Sequence, residues 1–575
     1  MQTRDLSSFE TNEEITCDIC IVGSGPAGAT PAQELAGSGL RILMLESGGR
    51  ASQFRSDMLN EIESVGAARE MDQTQVRNRV LGGSSHSWSG RCAPFDDIDH
   101  QARPWVPHSG WPVAADQLRP YLERTPEHLG LGFGAGYSGA GFWAMTGRRR
   151  PPTTLDDRML EPFFWQFSKD AGNPHDHMRF GAALLARPLE DVRIVTNATV
   201  LHIDTNATAS AVRALEVAGE DGVRRTVSAR TVVLCAGGIE NARLLLASNR
   251  VVAKGLGNGH DLVGRFLMDH PRGSVATFDL QHLRGLSQHF GHHRALAGRR
   301  RHLFCQGLRL SPAVQEREGL VNCAAWLSEA VHHDDPWSAV KRLLLGRAKL
   351  RRDLTSIASH LVLVGSGVHA HLIRGNSLPR LLDRLQLTCI VEQAPDPQSR
   401  VTLSGRTDRF GMPLSRVDWG IGGMEQRTVR RMAELTVQEL TRVGVAPPVL
   451  DDWVRDGAGF PRGWRDNAHP TGTTRMSVTA STGVVDAQGQ VHGIRGLFVA
   501  GSSTFPTCGH ANPTQMIVAL AIRLADTIKL LARASRMPVC MLAPEPAPDF
   551  VAVLAPGPVP PYVYLPTARS PRIPS

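Results

Sequence analysis

Apolar residues fall at two different spacings along this chain, and the switches between the spacings predict its elements. A short apolar run, Ile19 to Val22, meets a glycine turn, and Pro26 to Ser38 then carries small and apolar residues at helical spacing as far as Gly39. A second apolar run, Leu40 to Leu45, ends in Glu46, which completes a strand–turn–helix–strand unit. Further along, Val192 to Val195, Thr199 to Ile203 and Ala211 to Val217 read as strands. A turn at Gly219 to Gly222 precedes another short strand, Val227 to Ala229. The buried-type run Thr231 to Leu234 then leads into Ala236-Gly237-Gly238 and a helix from Glu240 to Ser248. Near the C-terminus a strand within Gly496 to Gly501 is followed, after Asn512, by a helix through Leu531. Its Met516, Val518, Ala519, Ala521, Ile522 and Ala525 form a packing face of small and apolar residues. The 276–450 stretch has another character, with strands at Leu387 to Glu392 and Arg400 to Leu403 and a long helix from Gly423 to Val443.

These patterns predict an α/β protein whose doubly wound sheet is assembled from separated segments. Helices laid on a second sheet form a domain in which a substrate would bind. A length of 575 residues is in keeping with two or more domains, and 42% hydrophobic and 21% charged residues are the shares of a soluble globular protein. After about Ala534 the chain becomes proline-rich, as in Pro544-Glu545-Pro546 and Pro556-Gly557-Pro558, and an extended or disordered tail is expected.

The net charge of +8 alters this picture little, because the arginines are scattered among 55 acids and no nucleic-acid motif accompanies them. Short basic runs stand at Arg148 to Arg150 and Arg299 to Arg301. The segment Lys341 to Arg352 reads either as an amphipathic helix touching a membrane or an anionic substrate, or as a solvated face with its leucines docked inward. Nine dispersed cysteines are no disulfide framework, and Cys20 of Cys17-Asp18-Ile19-Cys20 falls on a strand, where core packing explains it. The beginning of the chain lacks an apolar signal region, and no run approaches the ~20 apolar residues of a membrane span, so a cytoplasmic protein is expected. The triplets at Asn197 and Asn206 then carry no glycan. His332-His333-Asp334-Asp335 offers metal-capable groups, but such neighbours on one loop seldom converge on an ion, and no metal is expected.

Candidate chemistry begins with Gly23-Ser24-Gly25-Pro26-Ala27-Gly28. Gly23 permits a tight turn, Gly25 lets the backbone approach a pyrophosphate, and Gly28 allows close helix–strand contact, while the helix N-terminus stabilises phosphate charge. Glu46, at the end of the second strand, is placed to accept from ribose hydroxyls, which favours FAD or NAD over NADP. A second glycine turn, Gly82-Gly83-Ser84-Ser85 with His86 and Trp88 behind it, brings small residues and hydroxyl donors of the kind a flat ring or a phosphate needs. Two later segments supply a base and a hydrogen-bond partner: His469-Pro470-Thr471-Gly472-Thr473-Thr474-Arg475-Met476 and Pro506-Thr507-Cys508-Gly509-His510-Ala511-Asn512-Pro513-Thr514.

In this order the motifs resemble the glucose–methanol–choline oxidoreductase family, from about residue 17 to residue 531, with the weakest likeness in the middle. In detail they are similar to its pyranose oxidase-like bacterial members, and Ser109-Gly110-Trp111-Pro112 and Met268-Asp269-His270-Pro271 resemble segments of others. The resemblance implies FAD, held by Gly23, Ser24, Gly25, Pro26, Ala27, Gly28, Glu46, Gly82, Gly83, Ser84, Ser85, Ala236, Gly237, Gly501, Asn512, Pro513 and Thr514. It implies His469 as catalytic base and Asn512 as its partner, with His510 and His86 lining the substrate pocket. Pyranose oxidase-like enzymes attach FAD through a histidine directly before the tryptophan of the second glycine turn. Ser87 stands there in this chain and His86 one residue earlier, so non-covalent FAD is expected.

The implied architecture is a Rossmann-like FAD-binding domain from segments 15–100, 191–275 and 456–533, a connecting or cap segment at 101–190, and a substrate domain at 276–455 with a mostly antiparallel sheet flanked by helices. The tail is 534–575. The implied reaction is oxidation of a CH–OH group of a sugar, glycoside, polyol or other secondary alcohol, with electrons passed to oxygen, a quinone or a carrier protein. Oxidation of an amine or a C–C bond, a lyase that retains FAD, and a non-catalytic flavoprotein are the alternatives.

Overall fold

The computed structural model describes residues 2–536 apart from 12, 68, 70, 71, 152, 153, 171, 174, 175, 187, 188, 299, 345–349 and 370–379. The proline-rich tail from 537 onward, and 345–349 of the basic segment, lie outside the described residues. The chain divides into Met1–Lys529, which carries every sheet of the described residues, and Leu530–Ser575, of which only the end of a helix is described.

The nucleotide-type sheet is built from β1 (Gln2–Asp5), β2 (Ile15–Val22), β3 (Ile42–Leu45), β4 (Val192–Thr196), β5 (Thr199–Thr205), β6 (Val212–Ala218), β7 (Arg224–Leu234) and β8 (Leu497–Val499). Its order is β1-β4-β3-β2-β7-β6-β5, with β8 beside the C-terminal half of β7. β1, β4, β3, β2, β7 and β8 run parallel, and β6 is antiparallel to both of its neighbours, β7 and β5. Val22 is paired with Leu45 and with Leu234, Leu45 with Val195, and Leu234 with Val499. The parallel strands therefore end level with one another, and the loops that leave them share one edge, where open parallel sheets bind ligands.

Two expected strands are one. Val227 to Ala229 and Thr231 to Leu234 both belong to β7, because its two halves meet different neighbours. Arg224–Ser228 pairs with antiparallel β6 and alternates exposed and buried positions, whereas Val232–Leu234 lies between β2 and β8 and is buried throughout. Helix α1 (Pro26–Leu35) stops three residues short of Ser38, as Gly37 and Gly39 turn the backbone left-handed at φ +73° and +71°. Helix α2 (Gly237–Ala247) begins earlier than Glu240, with Ala236 N–H donating to Asn241 Oδ1 at 2.8 Å to satisfy a donor at its start. Helix α3 (Thr514–Arg536) follows β8.

The second sheet is antiparallel throughout. Its order is Val449–Leu450, Arg272–Phe278, Leu382–Val391, Cys323–Val331, Arg300–Leu310, Leu160–Phe167 and Arg91–Cys92, with Gly291–Ala297 also on Arg300–Leu310. It thus draws strands from the 15–100 and 101–190 segments and, through Arg272–Phe278, from the end of 191–275, as well as from 276–455. The helix Gly423–Arg442 lays Val429, Met432, Ala433 and Leu440 into a core with Val275, Leu385, Leu387 and Cys389 of this sheet. A third sheet joins Arg400–Thr407, Pro413–Trp419 and Ile62–Gly66.

The basic segment belongs to two helices, Pro336–Leu344 and Leu350–Ser359. Leu344 and Leu350 are 82% and 63% exposed while Leu343 is half-buried, so the described leucines of the segment are not all docked inward. Cys17 and Cys20 are buried and free, as core residues of β2. No helix of the described residues is long and apolar enough to cross a membrane.

Candidate active site

The two glycine turns are stitched together. Glu46 is buried at the end of β3; its Oε2 accepts from Ser24 N–H at 3.1 Å and Ser24 Oγ at 2.5 Å, and its Oε1 accepts from Gly48 N–H at 2.9 Å. Burial pushes the Glu46 carboxyl above its ordinary range, against these hydrogen bonds. Ser24 Oγ in turn accepts from Gly82 N–H at 2.9 Å, which sets the second turn against the first. Gly25 and Gly83 face each other so closely that a Cβ on Gly83 would lie 3.1 Å from Gly25 Cα. Gly28 has no such latitude, because a Cβ there would overlap the Gly23 carbonyl oxygen. Gly28→Ala is accordingly expected to force the turn apart and yield protein with little bound flavin. The ratio of flavin to protein absorbance measures this, and a wild-type ratio would contradict it.

The remaining motif segments meet the same edge of the sheet. A Cβ on Gly238 would overlap the Pro470 carbonyl oxygen, and Thr473 Oγ1 donates to Gly238 O at 2.5 Å. Ser502 Oγ donates to Pro470 O at 2.7 Å, and Asn241 Nδ2 donates to Ser503 Oγ at 2.9 Å and Ala500 O at 3.2 Å. Gly501, at φ +100°, would carry a Cβ only 3.5 Å from Ala27 Cβ, and Gly237, at φ +88°, would carry one into open space. This backbone cradle, the α1 N-terminus beside Gly25 and the lone pair left on Glu46 Oε1 fit FAD: N–H donors for a pyrophosphate, an acceptor for a ribose hydroxyl, and room against the glycines for a flat ring. Of the other expected cofactor residues, Ser85 Oγ donates to Gly82 O at 2.7 Å, Ser84 Oγ accepts from Asn78 N–H at 3.2 Å, and Pro513 and Thr514 lead into α3.

His469 and Asn512 come together although 43 positions separate them, with Asn512 Nδ2 at 3.4 Å from His469 Nε2. Asp269 holds the backbone that presents His469. Its Oδ1 accepts from the N–H groups of His270 (2.8 Å), Asn467 (3.0 Å) and His469 (3.0 Å), and its Oδ2 lies 3.0 Å from Arg69 Nη2. Between two of those donors Ala468 takes a left-handed φ of +54°, a strained conformation for a residue with a Cβ. Asp269 is fully buried; burial raises its pKa, but Arg69 and the nearby histidines outweigh that and hold it below the usual carboxylate range. Asp466 completes the cluster at 3.1 Å from Arg69 Nη2. His469 retains partial access to solvent, yet the protein around it, and after that His270, push its pKa down to about 3, against the pull of Asp269.

The other expected pocket histidines make contacts of their own. His510 is fully buried, with its ring centroid 4.7 Å from that of Phe163 and Nδ1 3.7 Å from Asp96 Oδ2. Asp96, Asp99 and His510 bring ligand-type atoms within 4.8 Å of one another, but Asp96 is paired with Arg309, and Asn322 Nδ2 donates to both carboxylates. His86 is exposed and its Nε2 lies 3.1 Å from Leu81 O. Reasoning from sequence did not find Arg69, Asp269, His270, Asn467 and Asp466 as site residues. Met268 to Pro271 stood out only as a resembling segment, and no spacing rule links positions 69, 269 and 466.

A GMC oxidoreductase model matches residues 395–521, and an FAD binding domain model matches residues 16–130. Paromamine 6'-oxidase of Streptomyces fradiae is 25% identical over 89% of this chain and 91% of its own. The fructose dehydrogenase large subunit of Gluconobacter japonicus is 24% identical over 90% and 98%. Among solved structures, formate oxidase superposes with a TM-score of 0.54 at 18% identity, covering 91% of this chain and all of that one (100%), and so shares the fold. The FAD binding domain model falls on the two glycine turns, and the GMC oxidoreductase model falls on the segments that carry His469 and Asn512.

Proposed function

We propose that this protein oxidises a CH–OH group of a sugar, glycoside, polyol or other secondary alcohol, with His469 as the base and Asn512 as its partner. The observation that carries this reading is the 3.4 Å separation of His469 Nε2 and Asn512 Nδ2. Two atoms so spaced can share one substrate oxygen at hydrogen-bond distance. His469 Nε2 takes the hydroxyl proton, and Asn512 Nδ2–H donates to the oxygen and stabilises the alkoxide charge that develops. Neutral His469 is competent at pH 7 because its pKa lies near 3. FAD, when bound in the cradle, supplies the hydride acceptor. We assign it as non-covalent, since Ser87 occupies the position before Trp88 and His86 turns back to the Leu81 carbonyl.

Two relatives carry names that point to sugar-like alcohols, paromamine and fructose, and this supports a polyhydroxylated substrate here. Electrons then leave to oxygen, a quinone or a carrier protein. The eight described cysteines are all free, which supports a cytoplasmic site of action.

The test is anaerobic mixing of the FAD-loaded enzyme with paromamine, D-fructose and 2-propanol, followed by peroxide measurement in air. Bleaching of the flavin absorbance by at least one of them is expected, and no bleaching by any of the three would overturn the polyol reading. A depressed pKa leaves the base unprotonated as pH falls, so the rate of bleaching is expected to be level from pH 8 to 5.5. A loss of rate centred near the ordinary histidine value of about 6.5 would contradict this.

A further inference from the structure

Behind His469 the fold places a second imidazole that the reaction as written does not use. His270 is fully buried in the segment that enters the strand Arg272–Phe278, and its Nδ1 is 3.0 Å from His469 Nδ1. Its other nitrogen, Nε2, lies 2.9 Å from the Gly509 carbonyl oxygen and 3.3 Å from that of Cys508. We infer that His270 is a positioning residue that fixes the tautomer of His469, so that the basic lone pair sits on Nε2 and faces Asn512. This rests on His469 being the base.

The proton positions follow from the partners in turn. A carbonyl oxygen only accepts, so His270 Nε2 carries a proton. A neutral imidazole has one N–H, so His270 Nδ1 is an acceptor. His469 Nδ1, 3.0 Å away, must then be the donor, which leaves His469 Nε2 unprotonated opposite the Asn512 amide donor at 3.4 Å. Asn467 Nδ2 is more distant, at 3.3 Å from His469 Nδ1 and 3.5 Å from Nε2, which makes His270 the nearer partner of Nδ1.

A doubly protonated His270 would break this chain of hydrogen bonds by presenting a donor to His469 Nδ1. The charged and titratable groups that act on the two rings are Asp269, Glu392, Arg272 and His510. Asp269 and Glu392 pull His270 towards protonation, and complete burial outweighs them, so the ring stays neutral. The Gly509 and Cys508 carbonyls belong to the loop that carries Asn512. His270 therefore ties the base and its partner to one hydrogen-bonded frame as well as setting the proton.

Two substitutions separate this role from that of a structural bolt. His270→Gln keeps an N–H donor where Nε2 stands but provides no acceptor for His469. His270→Asn keeps an acceptor where Nδ1 stands but does not reach Gly509. With paromamine, D-fructose or 2-propanol as reductant, whichever bleaches the flavin, His270→Gln is expected to slow the maximal rate about 10–100-fold with little change in KM, and His270→Asn to retain most of it. The reverse order would overturn the proposal, as would equal wild-type rates.

A readout independent of turnover is long-range ¹H–¹⁵N correlation on ¹⁵N-histidine-labelled, FAD-loaded enzyme, with the His469 signals assigned by their loss in His469→Ala. Protonated Nδ1 with bare Nε2 is expected in the wild type, and a shift towards protonated Nε2 in His270→Gln. Protonated Nε2 in the wild type would overturn the tautomer assignment. Bleaching at the wild-type rate by His469→Ala would instead overturn the base assignment on which it rests.

Discussion

His469→Ala is expected to remain folded and FAD-bound while its reduction by an alcohol falls towards the upper end of the roughly 10²–10⁴-fold range that a positioned base contributes. The side chain donates at Nδ1 to His270 and lies beside Asn512 through Nε2, whereas the contacts to Asp269 run through the backbone N–H, which alanine keeps. Its removal should therefore spare the loop and abolish proton removal. Asn512 alone has no basic lone pair to replace it. Anaerobic stopped-flow measurement of flavin bleaching, alongside flavin content and the thermal midpoint, separates the outcomes. Wild-type bleaching would remove His469 from the mechanism, and lost flavin would make it a structural residue.

Asp269→Ala is expected to damage both stability and activity. One carboxylate here holds the backbone N–H groups of His270, Asn467 and His469 and one arm of the Arg69 guanidinium. Arg69 has a side chain only 2% exposed and would be left with Asp466 as its ionic partner at 3.1 Å. Removing one partner of a buried ion pair typically costs about 3–5 kcal/mol, and the left-handed Ala468 would lose the donor–acceptor clamp that offsets its strain. A lower midpoint in guanidinium chloride, with flavin reduction slowed in the fraction that stays folded, is the expected result. An unchanged midpoint and rate would show that the cluster holds nothing in place.

The sequence was legible where structure is set by local sterics or by simple periodicity. The turn at Gly23, the buried run ending at Leu234 and the alternating or helical segments around them could each be read from a few consecutive residues. It was illegible where a residue's environment comes from distant segments. β1 is a polar strand, Gln2–Asp5, that pairs only at the edge beside β4, so no apolar pattern marks it. Arg91–Cys92 is too short for any period to show, yet it caps the antiparallel sheet. The Arg69, Asp269 and Asp466 cluster joins three segments some 200 positions apart, and each looks unremarkable in its own neighbourhood. His510 stands two positions before Asn512, but burial against Phe163 and Asp96, which no spacing reveals, decides its surroundings.

The shared edge of β7 also bears on how the chain is made. Val232 to Leu234 hydrogen-bond on one side to Leu497–Val499, so residues 235–496 must be synthesised before that side of the strand is covered. A growing chain on the ribosome therefore carries an apolar, unpaired strand edge for much of its translation, the type of edge that recruits other chains. Chains released before Leu497 would keep that edge open and would lack Asn512 and the whole of α3. Premature termination before Leu497 thus yields an aggregation-prone product, and chaperone demand should peak late in elongation.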